Sequence, residues 1–84
     1  PMLGFNVMKI VFYTGPQCSL CDLAELELSK TAMYSALDIE KVNIRNDANL
    51  YHLYGARIPV LKRADNNREI GWPFDSSTLE TFLQ

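Results

Sequence analysis

Tyr13-Thr14-Gly15-Pro16-Gln17-Cys18-Ser19-Leu20-Cys21-Asp22 decides how the rest of this chain is read. Before it, Val7 to Tyr13 is nearly continuously apolar and rich in β-preferring residues, the pattern of a strand buried on both faces. Thr14-Gly15-Pro16 breaks that strand. After it, Leu20, Leu23, Ala24 and Leu28 recur at helical spacing, which predicts a helix over 18–34 with these four on its buried face. Ser19 with Asp22 fits the Ser-x-x-Asp capping pattern, so the helix should start at or beside Cys18. The cysteine pair therefore stands where a strand gives way to a helix.

Outward from that point the pattern continues to alternate. Residues 38–44 read as a second strand, less apolar and so at a sheet edge, and a helix between two strands implies a right-handed parallel crossover. Asn46 or Asp47 caps a short helix ending near Tyr54, with Gly55 as its C′ residue. Ile58-Pro59-Val60-Leu61 reads as a third strand, Ala64 to Asn67 as a turn, and Arg68 to Gly71 as a returning fourth strand. Asp75-Ser76-Ser77 offers caps for a last helix, and Ser77 with Glu80 repeats the capping pattern. The order is βαβ, a connecting helix, then ββα. This predicts an α/β domain over residues 7–84, with residues 1–6, which open on Pro1, as an N-terminal extension or processing remnant.

Two cysteines three apart on one helix face have Cβ atoms roughly 5–6 Å apart before adjustment, and a disulfide prefers about 3.8 Å. Such a pair can close or open with little backbone movement. The first cysteine also meets the unpaired N–H groups and the positive end of the helix dipole, which favour a thiolate. The thiolate is the attacking species. By this logic Cys18 is the nucleophile and Cys21 the resolving thiol. Asp22 and Glu25 oppose a nearby anion, and Arg57 would offset them if its loop reaches the cysteines.

Other chemistry fits less well. A structural zinc site needs four ligands, and this chain offers Cys18, Cys21 and the single histidine, His52. The expected site therefore holds no metal of its own, and a metal or iron–sulfur cluster would have to be shared between two chains. A net charge of −2 with mixed signs gives no footprint for nucleic acid or anionic lipid. The longest apolar run is far too short to span a bilayer. No secretory signal pattern opens the chain, and two clustered cysteines suit a reducing compartment. The expected location is the cytoplasm.

With Tyr54-Gly55-Ala56-Arg57-Ile58-Pro59-Val60-Leu61 and Trp72-Pro73-Phe74-Asp75 added to the opening stretch, residues 7–84 resemble the glutaredoxin-like family of small thioredoxin-fold proteins. The resemblance implies a four-stranded mixed sheet of order 2-1-3-4 flanked by three helices, with a cis Ile58–Pro59 bond facing the dithiol. It implies that the backbone at Ile58 pairs with an extended substrate. Asp75 and Ser76 keep the outline of the helix start that receives the glutamyl end of glutathione. Phe12 stands where thioredoxins carry a buried acid six residues before the first cysteine, which separates the chain from thioredoxins proper.

The expected function is thus a thiol–disulfide oxidoreductase with Cys18 and Cys21 catalytic and Arg57, Ile58, Pro59, Asp75 and Ser76 on the substrate. Its partners would be protein disulfides or glutathione mixed disulfides, with glutathione or a reductase as electron source, no tightly bound cofactor and a monomeric state. The alternative is a non-catalytic thioredoxin-fold binding module whose groove recognises a partner.

Overall fold

The structure, a computed structural model, describes residues 7–84, so the expectation for residues 1–6 lies outside the described residues. Strand β1 (Met8–Thr14) runs through the middle of a four-stranded sheet of order β2-β1-β3-β4. It pairs in parallel with β2 (Leu37–Asn43) and antiparallel with β3 (Val60–Arg63), which pairs antiparallel with β4 (Glu69–Gly71). Three α-helices complete the fold: α1 (Ser19–Ser29), α2 (Ala48–Tyr54) and α3 (Ser76–Phe82). The predicted α/β mixed sheet and its order are what the structure has.

Side chains of a strand alternate between faces, and here both faces are covered. Ile10, Phe12 and Leu61 pack with Ala24 and Leu28 of α1 and with Leu79 and Phe82 of α3. Tyr13 and Val60 point the other way, into a smaller cluster with Ile44 and Tyr54. β1 is therefore apolar along nearly its whole length because neither side of it meets water.

Helix α1 departs from the sequence reading twice. It ends at Ser29, well short of residue 34. The Ser29 and Thr31 hydroxyls donate to the carbonyls of Leu26 and Leu28 at 2.6 and 2.7 Å. The Ala32 N–H turns instead to the Glu80 carboxylate of α3 at 2.9 Å. Local side-chain bonds of this kind compete with the helical ladder and stop it. The buried stripe is also rotated, running through Cys21, Ala24 and Leu28, while Leu20 and Leu23 are 44% and 48% exposed. Cys21 belongs to the core, and counting it there selects the correct face.

The caps differ in detail. Asp47 caps α2, its Oδ1 accepting from Asn49 and Leu50 N–H at 2.8 and 3.1 Å. Gly55 follows in right-handed conformation (φ −51, ψ −39), not the left-handed one expected of a C′ residue. A β-carbon there would come 2.5 Å from the Tyr51 carbonyl oxygen, which is the reason for glycine. Asp75 caps α3, accepting the Thr78 N–H at 2.8 Å, so Glu80 is released from the Ser77 capping pattern to hold Ala32.

The C-terminal end of α3 is held by a buried cation. Arg63, 6% exposed, donates to the carbonyls of Phe82 and Gln84, each at 2.7 Å, and forks onto Asp65 at 2.9 and 2.6 Å. A planar guanidinium can serve helix carbonyls and a carboxylate together, which an ammonium cannot do as well. Asp65 is held below the usual carboxylate range by its hydrogen bond from Arg63.

Candidate active site

The dithiol forms the first turn of α1. Cys18 is its N-cap, in extended conformation (φ −105, ψ 97), and its Sγ accepts the Cys21 backbone N–H at 3.0 Å. The cap expected of Ser19 is thus supplied by the cysteine itself. Cys18 and Cys21 are joined as a disulfide with Cα atoms 5.2 Å apart, inside the ordinary range for such a bridge. The two sulfurs differ in access: Cys18 is half-buried, whereas Cys21 is 4% exposed and packs in the core.

Gln17, the residue before the cap, has φ of 54, a left-handed conformation that an L-residue adopts at a cost. That turn brings the chain out of the Gly15-Pro16 loop and onto the helix axis. Sequence inspection offered no signal for it, because neither glycine nor asparagine stands there.

The proline loop lies against this loop. The Ile58–Pro59 peptide bond is cis, as is Trp72–Pro73. A β-carbon on Gly15 would meet Ile58 Cδ1 at 2.9 Å, so the two loops are in contact. Ile58 and Cys18 pack against the same core cluster. The Ile58 N–H donates to the Tyr54 carbonyl at 3.1 Å and the Pro59 carbonyl accepts from Trp72 N–H at 3.1 Å. Of the backbone groups of Ile58, the carbonyl is the one left to offer an incoming chain.

Other residues singled out from sequence are engaged elsewhere. Arg57 directs its guanidinium to Glu69 at 3.3 Å and lies 5.2 Å over the Tyr54 ring. Glu69 also accepts from the Tyr54 hydroxyl at 2.5 Å, and Tyr54 stacks on Tyr13 with ring centroids 4.2 Å apart. The Glu69 hydrogen bond, followed by burial and the Glu69 charge, holds the Tyr54 phenol protonated well above its ordinary value. Asp75 is occupied by Thr78, and its carboxyl is held below the usual range by that backbone N–H. The Ser76 N–H donates to Glu27 at 2.9 Å. Glu27 also accepts from Lys30, and these two bonds lower its carboxyl's affinity for a proton.

Thus Cys18, Cys21 and Ile58 pack in or against one core cluster, with the buried Pro59 next in the chain to Ile58, while the Arg57 guanidinium, Asp75 Oδ1 and the Ser76 N–H are engaged in internal ties. Trp72 meets Phe74 edge to face at 5.2 Å and packs against the same core cluster as Cys18. His52 is exposed on α2. Among the described residues no three His, Cys, Asp or Glu side chains converge as metal ligands. No described helix is long and apolar enough to cross a membrane. A depression of about 510 Å³ lies between β4 and α3, lined in part by Arg68, Ile70, Thr78 and Thr81, and includes none of the dithiol residues.

This arrangement, a dithiol at a helix start beside a proline loop on a 2-1-3-4 sheet, defines a thioredoxin-type fold. Residues 9–84 match the glutaredoxin-like domain (DUF836), and the chain belongs to that family. It is similar to the X-ray structure of the structural-genomics target XcR50 from X. campestris, with 36% identity and a TM-score of 0.77 over 88% of this chain and 93% of that one. The solution structure of protein Ne2328 from Nitrosomonas europaea shares 26% identity at a TM-score of 0.70, with 94% of each chain covered. A malarial protein shares the fold at 15% identity and a TM-score of 0.67, covering 93% of this chain and 94% of its own. No functionally curated protein matches the chain.

Proposed function

We propose that the protein is a cytoplasmic thiol–disulfide oxidoreductase acting on protein disulfides or glutathione mixed disulfides. The observation that carries this reading is the inequality of the two sulfurs. Cys18 is the accessible one, and it accepts a backbone N–H at the start of an α-helix. The same N–H and the helix dipole stabilise a negative sulfur there once the bridge is reduced. Cys21 sits one turn in, buried and within bonding reach.

In the reaction, the Cys18 thiolate attacks one sulfur of the substrate disulfide, and the other sulfur leaves as a thiolate. Cys21 then loses its proton to solvent and attacks the Cys18 sulfur of the mixed disulfide. The second substrate thiolate departs, and the Cys18–Cys21 bridge forms. Two electrons pass from the dithiol to the substrate. Two thiols of glutathione, or the dithiol of a reductase, return them by the reverse exchange.

The Ile58 carbonyl is the backbone group available to align an extended substrate across Cys18. Asp75 Oδ1 and the Ser76 N–H are engaged with Thr78 and Glu27, which leaves Asp75 Oδ2 and the Ser76 hydroxyl as the groups there that would meet substrate. The test is turnover of a glutathione mixed disulfide and of a protein disulfide by wild type, Cys18→Ser and Cys21→Ser. Both variants should lose dithiol turnover of the protein disulfide. Cys21→Ser should keep the ability to form a mixed disulfide at Cys18, trapped and visible by mass. A wild type that turns over neither substrate would favour a binding module instead.

A further inference from the structure

Beside the dithiol loop lies a depression of about 220 Å³. Gly15 and Pro16 of that loop line it, with Ile58 of the proline loop and with Ile44, Arg45 and Tyr51 from the segment between β2 and α2. It is below the size of pockets that enclose drug-sized ligands, which start at about 300 Å³, and suits a single side chain. Its lining is of two kinds. Ile44 is 1% exposed and Ile58 half-buried, giving an apolar base. Arg45 is exposed and Tyr51 is 55% exposed, giving a cation and an aromatic ring with a hydroxyl.

The arginine is what distinguishes this place. Arg57 and Arg63 commit their guanidinium groups to Glu69 and Asp65. The Arg45 guanidinium makes no hydrogen bond or ion pair among the described residues; only its backbone N–H is used, donating to Asn43 at 3.0 Å. An uncommitted guanidinium presents a planar fork that matches a carboxylate. Asp47, two residues along the chain, has its Oδ1 taken by the N–H groups that start α2. In a chain of net charge −2, this cation stands beside the residue that would align the substrate.

We propose that this depression is a substrate subsite for a carboxylate-bearing group next to the disulfide being reduced, with Arg45 as its specificity-determining residue and Tyr51 as its wall. The inference rests on the thiol–disulfide reading. The carboxylate has two sources, an acidic side chain flanking a protein cysteine or a carboxylate of a glutathione moiety, and Arg45 recognises the same group in both.

The experiment compares the kcat/KM of wild type and Arg45→Glu on four mixed-disulfide peptides. Three are capped with 2-mercaptoethanol and carry acidic, neutral or basic residues beside the cysteine; the fourth is neutral and capped with glutathione. Wild type should prefer a carboxylate-bearing substrate over the neutral mercaptoethanol peptide by about fivefold at low salt, the upper range for one exposed ion pair. Added salt should shrink that ratio. Arg45→Glu should abolish or invert it, chiefly through KM, and should speed the basic peptide. The Cys18 alkylation rate of the reduced variant should stay near that of wild type.

Loss confined to the glutathione-capped peptide assigns the subsite to glutathione. Loss confined to the acidic peptide assigns it to protein substrates, and loss on both supports the shared chemistry. Unchanged ratios in an active Arg45→Glu enzyme overturn the subsite and leave the oxidoreductase standing. No turnover of any peptide by wild type removes the oxidoreductase reading itself, and the subsite with it.

Discussion

The Cδ1 atom of Ile58 lies 2.9 Å from where a β-carbon on Gly15 would sit, so the dithiol loop and the proline loop touch here and a larger residue at 15 requires the Ile58 side chain to shift. Gly15→Ala should therefore displace that side chain and slow disulfide exchange, at a stability cost of about 1 kcal/mol, the low end of overpacking. Ile58→Val removes Cδ1 and makes room. In a double-mutant cycle, Gly15→Ala on the Ile58→Val background should cost less, with a coupling of about 0.5 kcal/mol or more. Denaturant midpoints for the four proteins check it.

Gln17 holds φ of 54 immediately before Cys18. Gly at this position adopts that conformation without the roughly 1–2 kcal/mol steric cost, partly offset by its greater freedom when unfolded. Gln17→Gly should raise the thermal midpoint by a few degrees, and Gln17→Val should lower it and disturb the Cys18 cap. Thermal melts of the oxidised proteins measure both, and a stabilised Gln17→Val would contradict the backbone argument.

Much of this was legible in the sequence, and the reasons are physical. The strand, turn and helix around Cys18 are short-range features, written in apolar runs and in Gly15-Pro16. The sheet order emerged from a resemblance rather than from periodicity. The stripe of α1 was misplaced because Leu20 and Leu23 look like core residues by composition, whereas Cys21 fills that place. What remained hidden is long-range: Glu80 reaching Ala32, Glu27 reaching Ser76, and Glu69 gathering Arg57 and Tyr54. Partners 12 to 49 residues apart leave no local pattern. For the same reason nothing local in the sequence turns Arg57 toward Glu69 or marks Arg45.

Arg63 is the buried polar group whose loss should matter most to stability. Arg63→Ala leaves the Phe82 and Gln84 carbonyls and Asp65 without their shared donor. Removing a buried donor that serves two backbone carbonyls and a half-exposed carboxylate costs about 2 kcal/mol, a large share of the stability of a small domain. Arg63→Lys should recover less than half of that, because an ammonium cannot fork onto the carboxylate and both carbonyls. Urea denaturation of the two variants tests the ranking.

Tyr54 predicts the alkaline limb of stability. Its phenol is raised from an ordinary value of 10.0, first by the Glu69 hydrogen bond. A group whose folded value is raised contributes stability that is whole below the unfolded value and is lost as pH climbs past it. Stability should therefore fall as pH rises above about 10, where only the unfolded phenol ionises freely. Tyr54→Phe should cost about 1 kcal/mol near neutral pH and flatten that alkaline fall. Denaturant midpoints across the alkaline range would show the two slopes.

The most direct test of the dithiol mechanism is competitive alkylation of the fully reduced protein, with each cysteine's labelling rate read by peptide mass. Near neutral pH, Cys18 should be labelled at least about tenfold faster than Cys21, since it alone combines access with the helix start. Equal rates, or faster labelling of Cys21 in the folded protein, would contradict the assignment of Cys18 as the attacking sulfur.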